Sequence, residues 1–185
     1  MALYHEIHRD ILEMSLAGDP RAQYQIYQLY SKAMYNICYR MMNNREEAED
    51  MLQESFSEAF LRLGTFRFES AFGAWLKRIT VNKCINALKK RKANLVPMEE
   101  LPDQQAFEDE DMDIPVLSVE KVREAMEELP EGYRVIFSLY LLEGYDHAEI
   151  SQIMGISEAT SKSQYSRARQ RMKEIFIHQS HGRQI

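Results

Sequence analysis

Only a few residues in this 185-residue chain have the types and spacing that chemistry requires. His147 and Glu149 make the H-x-E of zinc deaminases, but no P-C-x-x-C completes a metal site. Asp109, Asp111, Asp113 and Glu120 fit positions one, three, five and twelve of a calcium loop, yet Ile114 stands where the turn needs glycine. Cys38 and Cys84 have no C-x-x-C spacing and no His-x-x-x-His partner, so they read as reduced core thiols. His178 and His181 lack a third ligand. Without a P-loop, G-x-S-x-G or H-E-x-x-H, the sequence points away from an enzyme and calls for no metal or cofactor.

What remains is charge and stacking. From Lys77 to Lys92 there are seven basic residues and no acid. Just before them, "GTFRFES" interleaves Phe66 and Phe68 with Arg67. Cations beside aromatic rings suit a phosphate backbone whose unpaired bases can stack, while the alternative is that Phe72, Trp75, Leu76 and Ile79 are core and the terminal lysines complement the helix C-terminus. Ser70 is the expected N-cap of the helix that follows.

A second basic stretch, "GISEATSKSQYSRARQRMK", follows "HAEISQIMG". Small Ser151 four residues before Gly155, Ile156 entering the core and Ser157 capping a second helix make helix-turn-helix spacing. Such a second helix reads either as one that lies in a DNA major groove or as a basic, solvated terminal helix. Lys162, Ser163, Gln164 and Tyr165 are the expected reading positions, with Arg167, Arg169, Arg171 and Lys173 nearer phosphates.

The opposite sign is sorted onto another helix. Between Arg45 and Leu63 the residues Ala48, Met51, Leu52, Phe56, Ala59, Phe60 and Leu63 form an apolar stripe at helical spacing. Its other face presents Asp50, Gln53, Glu54, Ser57 and Glu58, which reads either as a solvated acidic face or as a docking surface for a basic partner helix. In the preceding helix, Ala22, Ile26, Leu29, Ala33 and Ile37 are the expected buried face.

These elements need two small cores, which 45% hydrophobic content can fill. Residues 93–117 hold three of the five prolines and eight carboxylates with no basic residue, the composition of a flexible acidic linker. The segments 1–92, 93–117 and 118–185 carry net charges of +3, −8 and −1, so the overall −6 hides the basic stretches. The expectation is an all-α chain with one helical domain over 1–92, a linker over 93–117, a second helical domain over 118–178 and a polar tail over 179–185. No apolar run spans a membrane and the N-terminal segment carries acids, so neither membrane insertion nor a signal peptide is expected and the location is cytoplasmic.

The chain resembles the extracytoplasmic-function (ECF) group of bacterial sigma-70 RNA polymerase sigma factors. "REEAEDMLQESFSEAFLRL" resembles the core-binding part of region 2, and "FGAWLKRITVNKCIN" its promoter-melting part. The stretch "LPEGYRVIFSLYLLEGYDHAEISQIMGISEATSKSQYSRARQRMK" resembles region 4. The resemblance implies that the chain binds core polymerase and promoter DNA without bond chemistry of its own. It makes Asp50, Gln53 and Glu54, with Ser57 and Glu58, the polymerase contact. Phe66, Arg67, Phe68, Trp75, Lys77, Arg78, Asn82 and Lys83 then meet the −10 element. Thr160, Ser161, Lys162, Ser163, Gln164 and Tyr165, with Arg167, Arg169 and Arg171, meet the −35 element. The family often has Val-Lys-Ser-Arg-Leu where this chain has Ser161 to Tyr165, so a packing valine becomes Ser161 and an arginine becomes Gln164, which could read adenine. An anti-sigma protein is a further implied partner. The competing readings are a stand-alone helix-turn-helix regulator and a helical adaptor that binds proteins only.

Overall fold

The computed structural model describes residues 8–94 and 119–181. Among them are eight α-helices and no strand, divided into two compact units, Met1–Val96 and Pro97–Ile185. The first unit holds α1 (Arg9–Leu16), α2 (Pro20–Met42), α3 (Arg45–Leu61) and α4 (Phe72–Asn94), with a short 3₁₀ turn at Leu63–Thr65. The second holds α5 (Val119–Glu127), α6 (Glu131–Phe137) running into a π-helical turn at Ser138–Leu142, α7 (His147–Met154) and α8 (Glu158–His181). The linker placed at 93–117 lies almost wholly outside the described residues.

Local signals fix the first unit's helices. Asp19 accepts the Arg21 N–H at 2.8 Å and Pro20 takes the first helical position of α2, where its missing N–H costs nothing. At the far end Asn43 adopts a left-handed conformation (φ 52°). Asn44 then caps α3 by accepting the Glu47 N–H at 3.1 Å. This two-residue connection folds α3 back against α2, and α4 packs on both. Phe72, Leu76 and Val81 of α4 close the core with Ile26 and Met41 of α2. Burying a ring or branched chain of this size contributes about 1.5–3 kcal/mol. Arg91 near the end of α4 donates to Glu47 at the start of α3 across 2.9 Å.

The apolar stripe of α3 is where the sequence puts it, with Phe60 half-buried. That of α2 needs correction. Leu29 is 48% exposed and Ala33 is exposed, while Met34, Cys38 and Met41 are buried beside Ala22, Ile26 and Ile37. Because α2 touches α1, α3 and α4, its buried surface spreads beyond one narrow stripe. The start of α4 also shifts. Ala71, not Ser70, offers the first helical carbonyl, accepting from Ala74 and Trp75.

In the second unit Met126, Leu129, Phe137, Ala168, Met172 and Ile175 form the core, with Val122, Tyr133, Tyr165 and Phe176 against it. Buried Arg134 donates to the Leu129 carbonyl at 2.9 Å, tying α6 to the end of the α5 segment. α8 continues to His181, into the stretch read as tail, and Gln179 donates to Glu128 at 3.1 Å.

Candidate nucleic-acid interfaces

On α3, Asp50, Gln53, Glu54 and Ser57 face solvent, as a docking face requires. Glu58 does not share that orientation. One of its carboxylate oxygens lies 2.8 Å from Lys83 Nζ of α4, and the other accepts from Arg62 at 3.1 Å. The Lys83 hydrogen bond first, then that from Arg62, holds the Glu58 carboxyl below the usual range, and Glu58 in turn raises the Lys83 ammonium.

Glu58, Arg62, Trp75, Arg78, Asn82 and Lys83 line one groove between α3 and α4. Four of the residues expected at a −10 element, Trp75, Arg78, Asn82 and Lys83, are therefore brought together. Arg62 and Asn86 join them, and sequence reasoning missed both. Asn86 lies one helical turn, four residues, from Asn82, which is the signal that could have found it, whereas Arg62 lies one turn from Glu58, which the sequence puts on the other face, so spacing does not find it.

The loop before α4 splits its aromatics. Phe66 is 6% exposed and sits within 5.5 Å, between ring centroids, of Phe72 and Trp75. Phe66 is thus a wall of the core under Trp75, with no face left for a base. Phe68 is half-buried at φ 55°, its ring 4.8 Å from both the Phe66 ring and the Arg9 guanidinium. Arg67 is exposed, and Lys77 is half-buried.

The helix-turn-helix forms from the expected residues. Asp146 and Glu149 make a reciprocal capping box at the start of α7, with bonds of 2.7 and 3.0 Å. Gly155 ends α7 at φ 72°, a left-handed conformation that glycine adopts without strain. Ser157 accepts the Thr160 N–H at 3.0 Å and so caps α8. Ile156 is only half-buried.

Along α8 the turn of the helix divides the expected readers. Ser161 is fully buried and shares a 2.9 Å hydrogen bond with His147 Nδ1, taking the packing position between α7 and α8. Tyr165 turns the same way, its ring 4.4 Å from Tyr140 and 5.7 Å from His147. Gln164 reaches toward α6, its Oε1 3.7 Å from where a Cβ on Gly132 would stand. Ser161 and Tyr165 therefore face the neighbouring elements of their own unit, and Gln164 is half-buried. Thr160 is half-buried, and its side chain pairs with Ser157 at 2.7 Å. Lys162 and Arg171 are exposed, and Ser163, Arg167 and Arg169 are half-buried. Glu158 pairs with Lys162 at 2.8 Å and raises its ammonium. Opposite the inward row Ser161, Ala168, Met172 and Ile175 stand Ser163, Ser166 and Gln170, the last two missed by reading a continuous run of residues.

Two helical units, one with an acidic helix beside a cationic, Trp-lined groove and one with a helix-turn-helix, match two models of one family. Sigma-70 region 2 matches residues 26–94, and sigma-70 region 4 matches residues 119–172. The chain is 32% identical over 155 residues to the ECF RNA polymerase sigma factor SigM of Bacillus subtilis, covering 82% of this chain and 93% of that one. It is 28% identical over 167 residues to the ECF sigma factor SigM of Mycobacterium tuberculosis, covering 90% and 83%. The fold is similar to that of the sigma factor RpoE solved with the anti-sigma factor NepR from Bartonella quintana, with a TM-score of 0.55, 23% identity and coverage of 83% and 95%. The chain belongs to the ECF RNA polymerase sigma factors.

Proposed function

We propose that this chain binds core RNA polymerase and directs promoter-specific initiation, acting as a dissociable subunit in the cytoplasm without catalysis of its own. Asp50, Gln53, Glu54 and Ser57 supply the polymerase contact. Arg67, Phe68, Trp75, Lys77, Arg78, Asn82 and Lys83, with Arg62 and Asn86, receive the −10 strand. Lys162, Ser163, Arg167, Ser166 and Gln170 face the −35 duplex, and Arg169 and Arg171 flank it. An anti-sigma protein is a further proposed partner.

The observation that carries this reading is the separation of sign by helix. The acidic outer face is carried by α3, the cations Arg78 and Lys83 by α4 and the second basic stretch by α8, with Glu54 at the border of the groove, 3.8 Å from Lys83. A stand-alone regulator has no use for the first, and a protein-only adaptor has no use for the other two. The test is in vitro transcription with purified core polymerase on a genomic fragment library. Initiation at defined sites, dependent on the added chain, is expected. Duplex binding without initiation would instead favour the stand-alone regulator.

A further inference from the structure

Glu58 was expected on the polymerase face, and the structure gives it another place. Both of its oxygens are engaged, one by an ammonium and one by a guanidinium, as a phosphate would be between Lys83 and Arg62. Glu54 adds a weaker contact, 3.8 Å from Lys83, from a side chain 56% exposed. Trp75, Arg78 and Asn82 border the same groove, and Glu58 is its one carboxylate among the described lining residues.

We infer that Glu58 is a built-in phosphate substitute, which holds Lys83 and Arg62 in place until a strand enters and keeps sequence-independent affinity for single strands low. The inference rests on the groove reading above. An entering strand takes two cations from Glu58, so its phosphates gain only the difference between two charge-assisted contacts. That loss is the same for every sequence. Base stacking on Trp75 and hydrogen bonds from Asn82 are untouched by it, so they decide whether a strand is retained. Glu58 also keeps the long Lys83 side chain ordered, which lowers the entropy lost when a phosphate replaces the carboxylate.

The experiment uses the full chain, free and assembled with core polymerase, and a fluorescein-labelled oligo-dT as the probe. Glu58→Gln is expected to raise oligo-dT affinity about two- to fivefold, the effect of one partly exposed ion-pair partner. Its log-affinity against log-salt slope should steepen by about 0.7 for each additional phosphate neutralised on a single strand. Adding Lys83→Met to Glu58→Gln should remove most of the gain. Glu58→Asp keeps the charge and shortens its reach, giving a smaller gain in the same direction and an independent measurement should the glutamine variant fold poorly. If affinity and slope stay unchanged in both variants while Arg78→Ala weakens binding, the groove is used and the role of Glu58 is refuted. If Arg78→Ala and Trp75→Ala also change nothing, the strand lies elsewhere and the groove reading falls with it.

Discussion

Gly73 and Gly132 are a matched pair whose replacement by alanine should have opposite signs. Each is the second residue of its helix, α4 and α6. Alanine restricts the unfolded chain and favours helix by about 0.5–1 kcal/mol at either position. What differs is the space for a methyl group. At Gly132 the nearest atom is Gln164 Oε1 at 3.7 Å, an ordinary contact, so the gain is kept. At Gly73 a Cβ would stand 3.1 Å from Tyr30 Cε1 and 3.6 Å from Cδ1. Tyr30 cannot simply swing away, because its ring makes edge contacts with Phe72 at 5.2 Å and His8 at 5.9 Å. Overpacking of this kind costs about 1–3 kcal/mol, which exceeds the propensity gain and leaves Gly73→Ala less stable by about 1 kcal/mol. For a unit this size that is about 4–8 °C in Tm. Trp75 is the chain's single tryptophan and lies two residues away, so its fluorescence follows this unit alone on heating. A lower midpoint for Gly73→Ala is expected, with hydrogen exchange slowed in α6 for Gly132→Ala. An unchanged or raised Trp75 midpoint would show that Tyr30 yields freely and refute the reasoning.

Two further outcomes follow from the site geometry. Tyr165→Ala should destabilise the second unit by about 2–3 kcal/mol, as expected for a partly buried ring, whereas Lys162→Ala should weaken promoter binding with its thermal midpoint unchanged; equal midpoints for the two would contradict the inward placement of Tyr165. Cys84 is fully buried, and the hydrogen bond with Cys38 followed by burial pushes its thiol above the ordinary 9.0. The folded form then keeps a proton that the unfolded form loses, so stability is whole below pH 9.0 and falls above it, by at most about 1.4 kcal/mol per pH unit. Denaturant titrations from pH 8 to 10 should show a smaller fall in Cys84→Ala, and an identical fall would exclude the thiol as its source.

Much of the fold could be read from local rules, and the misreadings share one cause. Caps such as Asp146 with Glu149, Ser157 and Gly155 act within four residues, so the helix-turn-helix was legible. The stripe on α3 was legible because that helix has one dominant buried side. α2 packs on three neighbours, and its phase beyond Ile26 could not be chosen between Leu29 with Ala33 and Met34 with Cys38. Glu58 looks outward on a helical wheel, but its partner Lys83 comes from another helix, a tertiary choice that periodicity does not encode. On α8 the consecutive run Lys162 to Tyr165 is longer than one helix face, and Tyr165 turns toward Tyr140 of the π turn.

The account stands on charge being divided among helices with separate tasks, and a crossed pair of reversals tests that division. Asp50→Lys with Glu54→Lys alters the outer face of α3, and Lys162→Glu with Gln170→Glu alters the outer face of α8. For each variant, both the affinity for core polymerase and the affinity of the assembled complex for a promoter fragment should be measured at fixed salt. The α3 reversal is expected to lose about thirtyfold or more in polymerase affinity, corresponding to about 2 kcal/mol for opposed charges at an interface, while the α8 reversal loses only promoter binding. Both variants losing both affinities, or neither losing any, would contradict it.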